Sequence, residues 1–306
     1  MNRIALLQAL ADHPDGIGGQ TLAARFGITR AAIWKEIEAL RGEGLGIEGG
    51  RGGYRLVDAA GWGPTTLSWR TGRPVEWLAA CTSTNRLAKD RAAGLPANTP
   101  TGRLPVIVAD HQTEGRGRRG RVWQAESGAN LLFSVVLRPE LPPHEAARAV
   151  LAWAAAMAEV LEVGLKWPND LVVRDGHRML KLGGLLAELE TSTEAFSGPG
   201  RTHSVVLGVG INVNQTNFDG LPDATSLALL GRPVDDRAAL LGRLVRALDA
   251  VDLTAEGLLD PWRQRAVMLG EEVVVGKVRG VATGLRDDGA LMVGGQAVLA
   301  GDVELV

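Results

Sequence analysis

The chain has 306 residues, in which 33 Lys and Arg nearly balance 35 Asp and Glu. This length predicts two or three domains, and the charge balance excludes a protein-wide nucleic-acid or membrane signature, so any such activity must be local. The single cysteine, Cys81, excludes an intramolecular disulfide, and the five histidines lack metal-ligand spacing, so we expect no zinc site and no metal-ligating side chains.

The first apolar run, Met1 to Leu10, is too short and too quickly polar to be a signal peptide. No stretch approaches the length of a membrane span. We therefore expect a cytoplasmic protein without a membrane partner.

Apolar residues at helical spacing predict three helices near the N-terminus. The first carries Ile4, Leu6, Leu7 and Leu10; the second, Gln20 to Phe26, ends at Gly27; the third, capped by Thr29, carries Ile33, Ile37 and Leu40. A glycine-rich turn at 49–53 between two short apolar runs then predicts a two-stranded wing. Helix, turn, helix and wing together predict a winged helix-turn-helix domain over residues 1–60.

In a winged helix-turn-helix, the second helix of the motif enters the DNA major groove. The predicted DNA-binding residues are therefore Thr29, Arg30, Trp34 and Lys35 on the helix, with Arg51 and Arg55 of the wing on phosphates. The alternative is a winged helix that contacts protein, because seven basic residues up to residue 60 are matched by seven acidic ones. Counterion release then favours DNA binding only if the basic residues share one face.

A linker marked by Gly61, Gly63 and Pro64 precedes a larger α/β region. Its predicted elements are a helix capped by Ser83 and ending near Gly94, strands at 105–110 and 130–137, a helix at 144–162, a strand-like run at 165–173, a hairpin turning at 175–177 and returning through 181–188, a strand at 205–214 and a helical segment at 235–264. Pro168 inside one of these runs predicts a sheet edge or a bulge. From residue 267 onward, short runs separated by Gly and Asp predict a small, barrel-like all-β domain.

The stretch from Gln112 to Trp123 reads Q-T-E-G-R-G-R-R-G-R-V-W. Its glycines let the main chain approach a ligand and adopt positive φ, and its arginines supply permanently charged forks for phosphate or carboxylate oxygens. The alternative is a flexible basic surface loop. The segment is neither a Walker loop, because G-x-x-x-x-G-K-[ST] is absent, nor a dinucleotide fingerprint, because no helix clearly opens after it.

Other positions in the α/β region also predict ligand contacts. Ser83, Thr84 and Asn85 lie at a helix N-terminus, where free amides meet polar ligands, although they could equally serve only as caps. Lys181 lies in an apolar strand, which is costly for an ammonium group unless an anion or carboxylate meets it. Gly208 and Gly210 in a buried strand predict close approach of a ligand or another backbone.

Taken together, these segments resemble the biotin protein ligases, specifically the bifunctional ligases that also repress the biotin operon. The resemblance covers essentially the whole chain and rests on G-R-G-R-R-G-R-V-W at 115–123, S-T-N at 83–85, K-W-P-N-D at 166–170, K-L-G-G at 181–184 and G-V-G-I-N at 208–212. It implies a multi-domain α/β protein: the winged helix-turn-helix at 1–60, a central mixed-sheet α/β ligase domain of class II synthetase type at 65–264, and an SH3-like β barrel at 267–306.

The resemblance implies a ligation that uses ATP, Mg²⁺ and biotin. The biotin carboxylate would attack the α-phosphate of MgATP to form biotinoyl-AMP, and a lysine of the biotin carboxyl carrier protein of acetyl-CoA carboxylase would then take the biotinoyl group. The resemblance also implies operator DNA as a partner and a homodimer when biotinoyl-AMP is bound.

By the same resemblance, the motif residues receive expected roles. The catalytic residues would be Arg116, Arg118, Asp170 and Lys181, with Asp170 orienting either the incoming lysine amine or a magnesium-bound water. The biotin-binding residues would be Ser83, Thr84, Gln112, Gly115, Arg116, Arg118, Lys181, Gly184, Gly208 and Gly210. The nucleotide-binding residues would be Arg118, Arg119, Arg121, Trp123, Asn169 and Asn212, with Trp123 flanking adenine.

Two departures from the family pattern are visible. The hairpin between Asp170 and Lys181 is about four residues longer than the family commonly shows, within the boundary error of sequence-based assignment. Glu114 stands where the family often has a small residue. Two alternative functions also follow: lipoate attachment, for which the pattern R-R-x-S-G-G-G is absent, and a DNA-binding repressor with biotinoyl-AMP as corepressor. We expect ligation and repression to coexist.

Overall fold

The computed structural model describes residues 2–50, 52–96, 98–139, 142, 145–190 and 204–306. The chain divides into two compact units, Met1–Trp77 with Val234–Arg246 and Leu78–Pro233 with Ala247–Val306. No helix within the described ranges is long and apolar enough to cross a membrane. The predicted division into three domains stays a prediction.

The first unit begins with three helices and a two-stranded wing. These elements are α1 (Arg3–Ala11), α2 (Gly19–Phe26), α3 (Arg30–Gly42), β1 (Gly46–Gly50) and β2 (Gly53–Asp58). Gly27 ends α2 in the left-handed conformation, and the Thr29 hydroxyl caps α3 by accepting a hydrogen bond from the Ala32 amide at 3.2 Å. The strands β1 and β2 pair antiparallel. The predicted winged helix-turn-helix is confirmed.

The core of this unit consists of the apolar side chains that helical spacing singled out. The residues buried to 0% exposure include Leu6, Leu7, Leu10, Leu22, Ile33, Ile37 and Leu40. Each such side chain contributes about 1.5–3 kcal/mol by leaving water. The wing is held to the helices because Ile17 and Tyr54 exchange two backbone hydrogen bonds of 2.9 Å.

Pro64, which we expected in a linker, instead opens the helix α4 (Pro64–Thr71). Proline is favourable at the first turn of a helix, where its missing N–H would have no partner. The Glu43 carboxylate accepts hydrogen bonds from the amides of Thr65 and Thr66, at 3.3 and 2.9 Å, and so caps the free amides of this turn. Asp236, which precedes α7 (Arg237–Asp249), pairs with Arg70 of α4 at 2.6 Å.

A seven-stranded sheet dominates the second unit. Its strands are β3 (Val75–Leu78), β4 (Val106–Ala109), β5 (Leu131–Leu137), β6 (Gly164–Lys166), β7 (Asp170–Asp175), β8 (Arg178–Glu190) and β9 (Ser204–Ile211), in the order β3-β4-β5-β9-β8-β7-β6. Along the sheet from β4 to β6, all neighbouring strands pair antiparallel. Cys81 and Gln112, which follow β3 and β4 in the sequence, form a parallel bridge. The predicted mixed-sheet α/β fold is therefore confirmed.

Helices cover this sheet. The helix α5 (Thr84–Ala93) packs on β4, β5 and β9 through Ala88 and Ala92, and α6 (Ala146–Leu161) packs against α8 (Asp260–Arg265). His144, the predicted first residue of α6, lies outside the described residues. The N-terminus of α5 points its first residues toward the glycine-containing strands β8 and β9, where the cavity described below lies.

Two predicted elements are each divided in the structure. The run at 165–173 forms β6 and β7 around a turn at 167–169, because Pro168 cannot donate a ladder hydrogen bond. The expected bulge lies in β7, where the register shifts between Leu171 and Val172. The segment at 235–264 forms α7 and α8, separated by a loop in which Gly257 adopts a φ of +68°.

The C-terminal strands form a separate five-stranded sheet. Its members are β10 (Glu272–Val275), β11 (Val278–Leu285), β12 (Leu291–Val293), β13 (Gln296–Val298) and β14 (Val303–Leu305), in the order β13-β12-β11-β10-β14. The predicted all-β character is confirmed. The sheet is open, with β13 and β14 at its two edges, so closure into an SH3-like barrel is not confirmed.

Candidate active site

The glycine- and arginine-rich loop forms a narrow hairpin between β4 and β5. The Trp123 amide donates to the Gly115 carbonyl at 2.9 Å, and the Gly117 amide donates to the Arg121 carbonyl at 2.7 Å. A Cβ on Gly115 would lie 2.6 Å from the Trp123 carbonyl oxygen. Position 115 therefore requires glycine for the protein backbone itself, independently of any ligand.

This hairpin borders a cavity of about 620 Å³ in the second unit, a size typical of small-molecule sites. Most of the predicted site residues line it together: Ser83, Thr84, Gln112, Arg116, Arg118, Arg121, Trp123, Asn169, Asp170, Lys181, Gly184, Gly208, Gly210 and Asn212. Two predicted residues, Gly115 and Arg119, are not part of the lining. The structure thus brings together residues that lie up to 129 positions apart in the sequence, from Ser83 to Asn212.

One wall of the cavity is a row of glycines on β8 and β9. Gly184 pairs with Gly210, and Gly208 pairs with Leu186 two residues further along, a spacing of roughly 7 Å. A Cβ on Gly210 would lie 2.6 Å from the indole of Trp123, and one on Gly208 would overlap the side-chain amide of Asn85. These two glycines make room for protein side chains, whereas the sequence predicted the close approach of a ligand or another backbone.

Charged groups gather beside Gly184. The Lys181 ammonium donates a hydrogen bond to Asp170 Oδ1 at 2.6 Å and lies 5.8 Å from the ring centroid of Trp123. Asp170 is therefore the carboxylate that makes an ammonium tolerable in this apolar strand. Burial lowers the pKa of the nearby Lys166, and the attraction of Asp170 opposes that effect. A bound anion would stabilise both lysines in their charged forms.

Arg118 connects the loop to the C-terminal sheet. Its guanidinium donates to the Gly301 carbonyl and to Asp302, both at 3.1 Å, and to Asn169 Oδ1 at 3.3 Å. Arg119 and Arg121 also form ion pairs with Asp302. Burial, and secondly the charge of Arg119, lower the pKa of Arg118. Because three guanidinium groups share one carboxylate, this end of the cavity carries surplus positive charge.

Uncharged polar groups and one compensated ion pair, Lys89 with Glu188, lie near Gly208 and Asn85. The Thr84 amide donates to Gln112 Oε1 at 2.8 Å, and the Thr84 hydroxyl oxygen lies 2.7 Å from the hydroxyl oxygen of Ser134. Ser83 precedes α5 but makes no side-chain capping hydrogen bond. This end of the cavity suits an uncharged ligand group with both hydrogen-bond donors and acceptors.

Two buried polar atoms in the cavity wall lack hydrogen-bond partners within the described residues: Asn212 Oδ1 and Trp123 Nε1. The other side-chain atom of Asn212, Nδ2, donates to the Thr225 carbonyl at 2.9 Å, which sets the direction of the amide. Buried polar groups rarely remain unpaired, but both atoms are shielded from solvent, so a ligand would pair with them only if the cavity wall moves. Both side-chain atoms of Asn169, by contrast, have partners: Nδ2 donates to the Leu185 carbonyl at 2.6 Å, and Oδ1 accepts from Arg118.

The predicted DNA-binding residues lie in the first unit. Arg30, Trp34 and Lys35 are exposed on α3, and Trp34 exposes 56% of its surface, which is high for an aromatic residue. Thr29 is exposed as well, but its hydroxyl caps the helix. Arg55 pairs with Glu48 across the wing at 2.6 Å. Arg51 lies outside the described residues.

Four site residues had no role assigned from the sequence: Ser134, Lys166, Glu188 and Asp302, whereas Asn85 was expected only as part of a helix N-terminus that could meet a polar ligand. Lys166 and Asn85 were inside recognised segments, and Lys166 beside Asp170 could have been found from its charge. Ser134 and Glu188 look like ordinary strand residues in the sequence. Asp302 is remote from every motif, and only the fold of the C-terminal sheet brings it to the arginines.

Comparisons with known proteins agree with this architecture. Residues 78–212 match the biotin/lipoate A/B protein ligase family, and residues 2–55 match a helix-turn-helix domain. The bifunctional ligase/repressor BirA of Bacillus spizizenii is 31% identical, with 94% of each chain covered. The biotin--[acetyl-CoA-carboxylase] ligase of Mycobacterium tuberculosis is 38% identical over 65% of this chain and 77% of its own.

A solved structure, the biotin protein ligase of Aquifex aeolicus in complex with biotin and ATP, superposes with a TM-score of 0.59 at 28% identity, covering 76% of this chain and 98% of that one. The similarity to the Bacillus relative extends over nearly the whole length of both proteins, helix-turn-helix segment included. On that extent of similarity, the chain belongs to the family of bifunctional biotin protein ligases and biotin-operon repressors.

Proposed function

We propose that the protein activates biotin with ATP and transfers it to a lysine of the biotin carboxyl carrier protein of acetyl-CoA carboxylase. The observation that carries this proposal is the polarity of one cavity: an excess of cationic groups lies at the Gly184 end, and the Gly208 end carries uncharged Thr84 and Gln112 together with the mutually compensating ion pair of Lys89 and Glu188. Biotin has the matching polarity, with a carboxylate at one end and a ureido ring at the other.

In the first step, a biotin carboxylate oxygen attacks the α-phosphorus of ATP, and the bond to pyrophosphate breaks. The two reacting groups are anions that repel each other in water. Arg116, Arg118 and Lys181 would neutralise them, and the restricted cavity would hold them in contact. Ser83, Thr84 and Gln112 would hold the ureido ring, which leaves the carboxylate at the cationic end.

The unpaired wall atoms support adenine as the base. Asn212 Oδ1 is a buried acceptor without a donor, and the adenine amino group is a donor at the position where guanine carries an acceptor oxygen. Trp123 would flank the base, while Arg119 and Arg121 would meet phosphate oxygens. Asn169, which holds Arg118, would act on the nucleotide through that arginine.

In the second step, the carrier lysine nitrogen attacks the carbonyl carbon of biotinoyl-AMP, loses a proton, and AMP leaves. The attacking amine must be neutral and the acyl phosphate must be protected from water. Asp170, already hydrogen-bonded to Lys181, would orient the incoming amine.

We propose that Mg²⁺ enters as MgATP. Within the described residues, no group of three or more His, Cys, Asp or Glu side chains could hold a metal ion. Mg²⁺ commonly keeps several waters and binds through substrate phosphates, so phosphate oxygens and water would supply most of its ligands. We also propose that the C-terminal strands at 267–306 act as a small SH3-like domain that contributes Asp302 to the nucleotide end of the site.

The decisive test is biotin-dependent exchange of pyrophosphate into ATP, with lipoate as the control acid. We expect exchange with biotin and none with lipoate. Exchange with lipoate alone, or with neither acid, would overturn the proposed reaction.

We propose, as a second function, that the winged helix-turn-helix binds operator DNA of biotin genes as a homodimer when biotinoyl-AMP is bound. The exposed face of α3, with Arg30, Trp34 and Lys35, supports this proposal. Two copies are needed because one helix reads only one half-site. A footprint upstream of biotin genes should appear only with biotin and ATP present, and absence of a footprint under every condition would contradict it.

A further inference from the structure

We infer that Glu188, Asn85 and Ser134 form a hydrogen-bonded chain that orients the Thr84 hydroxyl, so that its oxygen accepts a hydrogen bond in the cavity and does not donate one. The inference rests on the proposed function, because it concerns residues that position a biotin-binding side chain. These three residues would be positioning residues, since they act on the ligand through Thr84.

The centre of this hydrogen-bonded network is Asn85, which lies over the sheet where Gly208 has no side chain. Gly208 of β9 pairs with Ser134 of β5 on one side and with Leu186 of β8 on the other. A Cβ on Gly208 would overlap the Asn85 amide. Glycine at position 208 therefore lets one asparagine reach both neighbouring strands.

The partners of Asn85 determine which way its amide points. Nδ2 lies 2.7 Å from Glu188 Oε2 and 3.3 Å from the Leu186 carbonyl oxygen. Both partners are acceptors, so the NH₂ group must face them and Oδ1 must face the opposite side. Glu188 is itself held by the Lys89 ammonium, 3.3 Å from its other oxygen.

The direction of the amide then fixes two hydroxyl protons. Asn85 Oδ1 only accepts, and the hydroxyl of Ser134, 2.6 Å away, is the group that donates to it. With its single proton used, Ser134 can meet the Thr84 hydroxyl, at 2.7 Å, only as an acceptor. Thr84 must therefore donate to Ser134.

The consequence lies in the cavity. The Thr84 hydroxyl uses its only proton to donate to Ser134. Its other neighbour, Gln112 Oε1 at 3.1 Å, is an acceptor and supplies no proton. Both residues line the cavity. A ligand at this position must therefore bring an N–H or O–H donor, as a ureido N–H does. Ser134 has 0% exposure and Asn85 6%, so water competes little for these bonds.

A double-mutant cycle that measures biotin affinity tests whether Ser134 acts on biotin through Thr84. We expect Ser134→Ala to weaken biotin binding about ten-fold, the cost of one buried hydrogen bond, with ATP affinity unchanged. In the Thr84→Val background, the same Ser134→Ala exchange should have no further effect on biotin affinity, because Ser134 acts through the Thr84 hydroxyl. Equal losses in both backgrounds, as a purely structural role requires, would overturn the inference.

Two further variants keep the test decisive. Glu188→Gln preserves shape on a partly exposed side chain but lets the Asn85 amide turn, so we expect about a three-fold loss of biotin affinity that disappears in the Thr84→Val background. The matched control is Ser68→Ala, which removes a buried serine that accepts from the Val75 amide at 3.0 Å in the other unit; it should leave biotin affinity unchanged. A loss with Ser68→Ala as large as that with Ser134→Ala would also overturn the inference.

Calorimetric titration of the wild-type protein with biotin distinguishes failure of the proposed function from failure of the inference. Wild-type protein that binds no biotin would overturn the proposed function and the inference together. Wild-type protein that binds biotin, combined with additive effects of Thr84→Val and Ser134→Ala, would overturn the inference alone.

Discussion

The winged helix and the cavity use arginine in opposite ways. In the winged helix, Arg3, Arg41 and Arg55 each pair with one glutamate, at 2.5 to 2.6 Å, on the surface. In the cavity, Arg118, Arg119 and Arg121 share the single carboxylate of Asp302, and Arg118 is half-buried. Exposed one-to-one pairs contribute little energy, whereas crowded and partly buried cations gain strongly from an incoming anion.

The difference shows which positive charges are available to a ligand. Those of the cavity are held together without enough counter-charge, as a site for phosphate and carboxylate requires. Half of the described cations of the winged helix are compensated inside the unit, and Arg25, Arg30 and Lys35 form no ion pair within the described residues. DNA binding should therefore depend on few residues, and catalysis on many.

The largest expected effect comes from removing the cation that Asp170 holds. Lys181→Ala should lower the rate of biotin-dependent pyrophosphate exchange by about a hundred- to a thousand-fold, because a positioned charge at the reacting phosphate is lost. The melting temperature should change by only a few degrees, about the effect of 1 kcal/mol. The matched control is Lys277→Ala, in the turn between β10 and β11, which should exchange at the wild-type rate. A wild-type rate for Lys181→Ala would show that the catalytic assignment is wrong.

Substitution of Asn212 tests whether the nucleotide end of the cavity recognises the base in addition to the phosphates. Asn212→Ala should weaken ATP binding about ten-fold, the cost of one buried hydrogen bond, while the weak binding of GTP should change little. Binding of both nucleotides is measured by competition against a fluorescent ATP analogue. Asn214→Ala, two residues away and outside the cavity lining, is the control. Equal losses for ATP and GTP would contradict a role in base selection.

A smaller effect is expected from the uncompensated cations of α3. Arg30→Ala and Lys35→Ala should each weaken operator binding several-fold and reduce the slope of log affinity against log salt by about one. Arg3→Ala removes a cation that is already paired with Glu36 and should leave the slope unchanged. Pyrophosphate exchange should stay at the wild-type rate in all three variants. If Arg3→Ala lowers the slope as much as Arg30→Ala, charge pairing does not decide which residues meet DNA.

The smallest effect concerns Lys166 and pH. Its pKa is lowered mainly by burial, so between that pKa and the usual lysine pKa the unfolded chain binds the proton that the folded protein has lost. The free energy of unfolding should therefore rise with pH through this window, and Lys166→Met should remove that rise. Denaturant unfolding of both proteins across alkaline pH measures the difference, and a difference that stays constant with pH would contradict the assigned shift.

Local elements could be predicted because their causes lie within a few residues. Thr29 caps α3 and Gly27 ends α2 as expected, since a hydroxyl before a helix and a glycine after one act on adjacent backbone groups. The strand containing Lys181 was also foreseen, together with the need for an opposite charge. That the charge is Asp170 follows from the pairing of β7 with β8, which puts Asp170 opposite Gly184.

Other parts of the site could not be predicted, because their partners meet only across the folded sheet. Gly208 predicted the close approach of a ligand or another backbone, but in the structure the side chain of Asn85 lies there. Ser134 and Glu188 have no local pattern that marks them. Pro64, by contrast, carried a local signal for a helix start that was interpreted as a linker.

The sequence by itself determined the winged helix, the order of strands and helices along the chain, the family and part of the cavity lining, because helical spacing, caps, glycines and short charged segments act locally. Only the tertiary structure decided which charges are compensated and which way the hydroxyl protons point. Asp302 reaches Arg118 from 184 positions away, and Asn85 reaches Glu188 from 103 positions away. Hydrogen bonds and ion pairs depend on distances of about 3 Å, and no spacing along the chain encodes such distances between remote segments.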